Sequence, residues 1–459
     1  MALIKSISGI RGTIGGNARE NLTPQDIVEC TAAFGAWLLE QGQPSKVVIG
    51  RDARISGKMV QGLVTNTLIG LGIDVVDLDL STTPTVEMAV VWEQAGAGII
   101  ITASHNPKEW NALKFLNHKG EFISKANGEA LLAKIAEGSI HYASVDELGQ
   151  VSAKDGYLEK HIDAILAHDL VTVEAIRARK FKVVVDGINS SGSIAVPQLL
   201  DALGCETILI NGEANGNFAH NPEPLAKHLT QLSETIVAEQ ADLGISVDPD
   251  VDRLAFVCED GAMFGEEFTL VAVADYMLGH KTGNTVSNLS STRALRDVTE
   301  QHGGQYFASA VGEVNVVTQM KAVDAVIGGE GNGGIIVPEL HYGRDALIGI
   351  GLFLSHLVAK ELSMASLKAT YPNYQMIKDK IALTPEIDLN ALLIRLEEKY
   401  KSENYNTIDG LKIDFPDRWV HLRKSNTEPI IRIYAEGPDS ASAKALVEQI
   451  KEDVKMLLN

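Results

Sequence analysis

The sequence predicts an α/β protein of three similar mixed α/β domains followed by a smaller α+β domain. Three observations carry this. First, the 459 residues exceed what one core can organise; at roughly 150 residues per domain the chain divides into three, or four if they are small. Second, short continuous apolar runs such as KVVIG at 46–50, AGIIIT at 97–102 and FKVVV at 181–185 alternate with stretches of helical periodicity. Strands buried on both faces of a parallel, helix-covered sheet read in this way. Third, the C-terminal part changes to alternating apolar and polar residues, the mark of half-exposed antiparallel strands.

Taken in order, Thr23-Pro24-Gln25-Asp26 places a capping hydroxyl before a proline at the first helical position, and Ile27, Val28, Ala32, Leu38 and Leu39 carry a helix until Gly42. A strand at 46–50, a helix at 57–71 and strands at 73–78 and 97–102 complete the first block. Residues 144–160, small and charged, read as a boundary. The theme restarts with the strand 181–185, the turn Asp186 to Gly192 and the helix 195–203. A third block follows in the pattern, with 242–247 running into Asp248 and 254–258 as its antiparallel neighbour. Near 370–385 the rhythm breaks, and strands at 411–415, 419–422 and 430–435 precede a last amphipathic helix from Asp439 or Ser440 to Leu458. The domain ranges are 1–150, 151–256, 257–370 and 371–459.

Composition narrows the function. A net charge of −20 with 45% hydrophobic residues describes a folded acidic protein. Such a surface repels nucleic-acid phosphates and anionic lipid, so neither nucleic acid nor membrane is expected as a partner. Cys30, Cys205 and Cys258 are scattered and in apolar surroundings, as expected of reduced buried thiols rather than disulfides or a zinc site. The N-terminal stretch lacks the basic-then-apolar layout of a secretory signal, no apolar run reaches the ~18 residues of a bilayer span, and a cytoplasmic location is expected.

Four loops could carry chemistry. Thr102-Ala103-Ser104-His105-Asn106-Pro107 follows a buried strand, where a serine hydroxyl can be exposed and oriented. It is either an ordinary turn or the seat of a nucleophilic or phosphorylated serine. His105, adjacent in the chain, is poorly placed to act as that serine's base. Asp248-Pro249-Asp250-Val251-Asp252-Arg253 sets three carboxylates at alternate positions of an extended segment, on one side, where they would repel one another without a cation. Oxygen-only ligands favour Mg²⁺, with Ca²⁺ second; a solvated acidic turn is the alternative. An EF-hand fails because Arg253 stands where its loop needs glycine.

Gly328-Gly329-Glu330-Gly331-Asn332-Gly333-Gly334 lets the backbone approach a ligand closely and offers Glu330 and Asn332 to sugar hydroxyls, or else is a structural turn. Arg423-Lys424-Ser425-Asn426-Thr427-Glu428-Pro429, with Arg432 beyond, is a bed for phosphate or an exposed polar hairpin. Arg11, Arg51 and Lys114 lie near the presumed strand ends of the first block.

The four loops in this order resemble the α-D-phosphohexomutase family, which comprises phosphoglucomutases, phosphomannomutases and phosphoglucosamine mutases. The resemblance covers essentially the whole chain, and the overall style looks closest to the bacterial phosphoglucosamine mutase branch. It implies three α/β domains and a C-terminal domain around a central cleft. It implies an intramolecular phosphotransferase that interconverts hexose 6-phosphate and hexose 1-phosphate through a phosphoserine at Ser104 and a bisphosphorylated sugar, most readily glucosamine 6-phosphate to glucosamine 1-phosphate. Mg²⁺ would be bound by Asp248, Asp250, Asp252 and a phosphoserine oxygen, with a hexose bisphosphate as activator. Lys114 first and then Arg11 would serve acid–base transfer beside His105. Arg423, Ser425, Asn426, Thr427, Arg432, Arg51 and Arg253 would hold phosphate, and Glu330 and Asn332 the sugar. Monomer and dimer both remain open.

Two departures stand out. The family's sugar loop commonly continues Ser-Gly-His where this chain has Asn332-Gly333-Gly334, and Pro249 and Val251 replace glycines common in the metal loop. Phosphoglucomutase or phosphomannomutase activity, a phosphatase, and a non-catalytic Ca²⁺ or sugar-phosphate binding protein are the competing readings. A sugar bisphosphate is itself anionic, so a positive pocket built by Arg11, Arg51, Lys114, Arg253, Arg423, Arg432 and the metal is expected inside an acidic shell.

Overall fold

The computed structural model describes residues 3–6, 9–382, 388–424 and 430–458. The first domain runs β1 (Leu3–Ser6), β2 (Gly9–Thr13), α1 (Pro24–Glu40), β3 (Lys46–Arg51), α2 (Gly57–Gly70), β4 (Asp74–Leu80), α3 (Thr83–Trp92), β5 (Ala97–Ile101), β6 (Trp110–Leu116), α4 (Lys125–Glu137) and β7 (Val151–Ala153). Its seven strands lie in the order β1-β2-β6-β5-β3-β4-β7. The β5-β3-β4-β7 part is parallel, and β6 pairs antiparallel with both β5 and β2. Helix α1 begins as its sequence dictates: Thr23 and Asp26 form a reciprocal capping box ahead of the first turn.

The second domain runs α5 (Tyr157–Leu166), α6 (Val173–Arg179), β8 (Lys182–Asp186), α7 (Gly192–Ala202), β9 (Glu206–Ile210), α8 (Thr230–Glu239), β10 (Leu243–Val247) and β11 (Leu254–Cys258), in the sheet order β11-β10-β8-β9. The strand pair read as opening a third block therefore belongs here: Leu243 sits in register with Val183 of β8. The third domain has its own sheet. Its elements are α9 (Glu266–His280), β12 (Asn284–Asn288), α10 (Ala294–Gln301), β13 (Tyr306–Ser309), α11 (Glu313–Ala322), β14 (Ala325–Glu330), β15 (Gly334–Ile336), α12 (Ala346–Lys360) and α13 (Met364–Lys368), with strand order β13-β12-β14-β15. The fourth domain comprises β16 (Gln375–Ala382), α14 (Leu389–Lys399), β17 (Asn404–Asn406), β18 (Leu411–Asp414), β19 (Trp419–Lys424), β20 (Ile430–Gly437) and α15 (Ser440–Leu458) around an antiparallel sheet ordered β16-β20-β19-β18-β17.

Sheet membership shifts the expected domain limits. Strand β7 carries the first sheet to residue 153, β11 carries the second to 258, and Tyr371 packs in the core beneath α9. The three residues of β7 are all exposed, so no apolar signal marks them as part of a sheet. One apolar core runs without a break from Ile162 through Phe256 and Phe353 to Tyr371, joining the second and third domains. Helix α12 makes this possible by packing on α5, α6 and α9 at once, and a helix enclosed on all sides is apolar on all sides. The fourth domain has a separate core and docks on the third through Arg293, which donates to the carbonyls of Phe415, Pro416 and Arg418.

Candidate active site

The serine loop leaves the carboxyl end of β5, where ligands gather in open α/β sheets. Ser104 adopts φ +50°, a left-handed conformation uncommon for a residue with a Cβ. Its amide donates to Thr102 Oγ1 at 2.9 Å, and that hydroxyl donates to Asp52 Oδ2 at 2.7 Å. Asp52 in turn accepts from Arg54 Nε at 2.9 Å. The rest of the Arg54 guanidinium donates to the carbonyls of Ser104, Asn106, Pro107 and Trp110, so one planar fork shapes the whole turn.

The aspartate loop leaves β10. Asp248, Asp250 and Asp252 are buried, and their carboxylates lie within 4.8 Å of one another. Asp248 Oδ1 accepts from the amides of Asp252 and Arg253, both at 3.1 Å, while Oδ2 accepts from Ser104 Oγ at 2.6 Å. That last contact joins the first and second domains. Val251, between two of the aspartates, is held at φ +63°, a strained geometry for a β-branched residue.

Lys114 on β6 donates to Asp250 Oδ2 at 2.7 Å and lies 3.5 Å from Asp252 Oδ2. Burial pushes the Asp250 carboxyl upward, but Lys114 and the hydrogen bonds of Thr83 and Asp248 together outweigh it and hold the group well below the usual carboxylate range. Asp248 has only the more distant Arg253 against it: burial, then Asp252 and Asp250, outweigh that cation and hold it well above that range. Oδ1 of Asp250 and Oδ1 of Asp252 are buried with no hydrogen-bond partner among the described residues. Three converging carboxylates with orphaned oxygens, and no nitrogen or sulfur donor among them, fit a hard divalent cation.

Around them the field is positive. Arg253 lies 3.9 Å from both Asp248 and Asp252, and its Nε is buried without a partner among the described residues. The neighbouring Arg253, with burial and Arg11, holds the His105 ring well below its usual range, so it is neutral. Arg11 on β2 is itself lowered by burial and by Arg253. His105 Nδ1 comes to 3.4 Å from Ser104 Oγ, nearer than its place next to that serine suggests, because the left-handed turn at Ser104 brings ring and hydroxyl to the same side.

The glycine-rich loop leaves β14 and is tied to the aspartate loop. The Leu254 amide donates to the Gly333 carbonyl at 3.0 Å, and Gly333, at φ +88°, has no room for a Cβ, which would stand 2.2 Å from the Leu254 carbonyl. Glu330 is buried and already engaged: Oε1 accepts from Asn288 Nδ2 and the Gly312 amide, Oε2 from Arg344. Asn332 Oδ1 accepts from the Gly334 amide at 3.2 Å. In the fourth domain Arg423 and Arg432 stand directly opposite on β19 and β20, each with a buried Nε lacking a partner among the described residues. Ser425, Asn426 and Thr427 lie outside the described residues.

One arginine expected at the site is engaged elsewhere, and two that the sequence reading did not assign to it are present. Arg51, expected to bind phosphate, spends its guanidinium on Gln61, Asp79 and the Asp52 carbonyl, bracing β3 against α2 and β4. Arg54, three residues on, is the one that reaches the serine loop. Arg344 was also missed: it donates to Asp252 at 2.7 Å, Glu313 at 2.9 Å and Glu330 at 2.9 Å, linking the aspartate loop to the glycine-rich loop. The motif His341-Tyr342-Gly343-Arg344-Asp345 held that signal.

A strand-end serine against a cluster of buried carboxylates, with arginines on a fourth domain, is an arrangement suited to phosphoryl transfer. Comparison with known proteins makes this particular. Residues 3–140, 159–261 and 266–374 match domains I, II and III of the family described as phosphoglucomutase/phosphomannomutase, alpha/beta/alpha, and residues 380–453 match its C-terminal domain. A phosphoglucomutase/phosphomannomutase of Thermococcus kodakarensis is 34% identical over 95% of this chain and 96% of its own length. A probable phosphoglucosamine mutase of Methanopyrus kandleri is 33% identical over 98% of this chain and 97% of its own. The crystal structure of a phosphoglucomutase/phosphomannomutase family protein from Burkholderia thailandensis superposes with a TM-score of 0.86 at 25% identity, covering 99% of this chain and 97% of that one. The chain belongs to the α-D-phosphohexomutase family, and it is a phosphohexomutase.

Proposed function

We propose that the enzyme interconverts glucosamine 6-phosphate and glucosamine 1-phosphate through a phosphoserine at Ser104 and a bisphosphorylated sugar that turns over in the cleft. The observation that carries the reading is the 2.6 Å contact of Ser104 Oγ with Asp248 Oδ2, which sets the serine hydroxyl of the turn against the carboxylate cluster. Mg²⁺ bound by Asp248, Asp250, Asp252 and a phosphoserine oxygen would spread the charge of the transferring phosphoryl group. Arg253 neutralises the same group from its flank.

Lys114, buried and charged beside Asp250, is placed to give up and retake a proton at the sugar hydroxyl, with Arg11 and the neutral His105 adjoining. Arg423 and Arg432 stand opposite each other with Asp409, 3.9 Å from Arg423, in partial compensation, which suits the phosphate that is not reacting. Glu330 and Asn332 face the sugar from the third domain. A hexose bisphosphate primes Ser104, and the reaction runs in the cytoplasm. Among the described residues no helix is long and apolar enough to cross a membrane.

Support for the amino sugar comes from the motif style and from relatives named for phosphoglucosamine, alongside one named for glucose and mannose phosphates. A panel of glucosamine 6-phosphate, glucose 1-phosphate and mannose 1-phosphate, with a bisphosphate activator, ranks the three by kcat/KM. Turnover confined to the two hydroxy sugars would replace the amino-sugar assignment, and full activity in Ser104→Ala would remove the phosphoserine.

A further inference from the structure

A second cluster of ligand-type side chains lies where the first three domains meet. His161 comes from α5, His341 and Asp345 from the segment before α12, and Glu87 from α3. One donor atom from each of His161, His341 and Asp345 falls within 4.8 Å of the others. Asp345 Oδ2 is 2.9 Å from His161 Nε2 and 3.3 Å from His341 Nε2. Its other oxygen is committed elsewhere, capping α12 by accepting from the Leu347 amide at 2.8 Å. Each ring is backed on its far side: Thr85 Oγ1 lies 3.0 Å from His161 Nδ1, and Glu87 Oε2 lies 3.3 Å from His341 Nδ1.

Hydrogen bonding leaves this cluster incomplete. Glu87 is 1% exposed, yet neither of its carboxylate oxygens, nor His341 Nδ1, is aligned with a hydrogen-bond partner among the described residues. A buried carboxylate without a partner is costly and calls for a compensating charge. His341 Nδ1 lies 3.3 Å from Glu87 Oε2, and a cation on the far nitrogen of that ring would fix Nδ1 as the protonated partner that faces Glu87. With Nδ1 of each ring protonated toward Thr85 or Glu87, both Nε2 lone pairs point at the same place as the free oxygen of Asp345. Carboxylate and hydroxyl groups behind ligating histidines are the usual means of fixing ring orientation at a metal.

We propose that His161 Nε2, His341 Nε2 and Asp345 Oδ2 bind one zinc-type divalent transition-metal ion, oriented from behind by Thr85 and Glu87. Bonds of about 2.0–2.2 Å in a tetrahedron set ligand atoms roughly 3.3–3.6 Å apart; the His341 nitrogen already stands 3.3 Å from Asp345 Oδ2, and the His161 nitrogen, at 2.9 Å, has to draw back slightly to admit the ion. Two imidazoles select such an ion over Mg²⁺, whereas the all-oxygen aspartate loop selects the reverse, so the two sites sort their metals by ligand chemistry. The ion fastens α3, α5 and the segment before α12, one from each of three domains. It also anchors the residue next to Arg344, whose guanidinium holds Asp252, so it acts on the active site as a positioning element.

The test uses the full-length enzyme, stripped with chelator and kept in excess Mg²⁺, titrated with Co²⁺. The wild type should take up one Co²⁺ per chain with the intense visible bands of a tetrahedral centre, and Zn²⁺ should displace it. His341→Gln should abolish those bands, and Glu87→Gln should weaken binding roughly 10–100-fold. X-ray absorption of the Zn²⁺-loaded wild type gives an answer that depends on no variant folding, and two imidazoles should appear in the first shell. Absence of the tetrahedral cobalt bands in the wild type, equal bands in His341→Gln, or an all-oxygen zinc shell would overturn the proposal.

Discussion

Arg54 Nε donates to Asp52 Oδ2 at 2.9 Å with both side chains fully out of solvent, and this pair is the mould in which the serine turn is cast. Burial pushes the Asp52 carboxyl up, and Arg54 and Thr102 oppose that push. Taking Arg54 away leaves a buried carboxylate without its counter-cation and strips the guanidinium donors from four carbonyls, of which Pro107 keeps the Trp110 amide as a partner. Arg54→Ala should therefore cost about 3–5 kcal/mol in urea unfolding. Arg54→Lys keeps the charge but not the fork, so it should keep part of the stability while activity still falls. Equal stability of Arg54→Ala and wild type would show that the turn holds itself.

Lys114 separates two effects that usually move together. Under the proposed mechanism it handles a proton, and Lys114→Met should lower kcat by roughly 10²–10⁴-fold. The same change removes the cation that neutralises Asp250 and Asp252 at 2.7 and 3.5 Å. The aspartate loop then becomes more negative, so Mg²⁺ should bind more tightly, not less. Calorimetric Mg²⁺ titration of the variant reads this directly; weaker binding would mean that Lys114 organises the loop rather than competing with its metal.

What the chain discloses follows from how local each feature is. The cap at Thr23 and Asp26 is complete within four residues and was legible, as were Asp248, Asp250 and Asp252. Helix α3 was not, because eight of its ten residues are buried and no polar face remains to give a period. The pair β10 and β11 reads in pattern as a separate block, although the range 151–256 already held most of it beside β8, since pairing partners are not written in a strand's own residues. Among site residues, Ser104 stands within a recognisable run. Arg344 earns its place only by reaching Asp252, 92 positions earlier, and Arg54 by reaching the carbonyl of Ser104, 50 positions later. Such long-range polar contacts leave no periodic trace.

The three thiols offer a simple check on the cores. Burial pushes Cys30, Cys205 and Cys258 each up to about 12, so at pH 8 almost none is thiolate. Alkylation by iodoacetamide at that pH should be slow in the native enzyme and complete in urea. Cys205, half-buried at the end of α7, should react first. Fast labelling of all three in buffer would contradict the packing of the first and second domains.

His220 supplies a pH signature away from the active site. Its Nδ1 lies 2.8 Å from the Asn221 carbonyl and its Nε2 lies 2.8 Å from Asp186 Oδ2. Both partners only accept, so both nitrogens must donate and the ring is an imidazolium. Burial alone would lower this histidine, but the hydrogen bond and charge of Asp186 raise it above its usual range. A group raised in the folded state contributes stability that is complete below its unfolded value, about 6.5, and is lost as pH rises through the folded value. Melting temperatures of wild type and His220→Gln should thus differ most near pH 5.5 and converge once the pH has passed the raised folded value. An offset that stays constant from pH 5.5 to 9 would assign His220 a packing role and remove the charge from the argument.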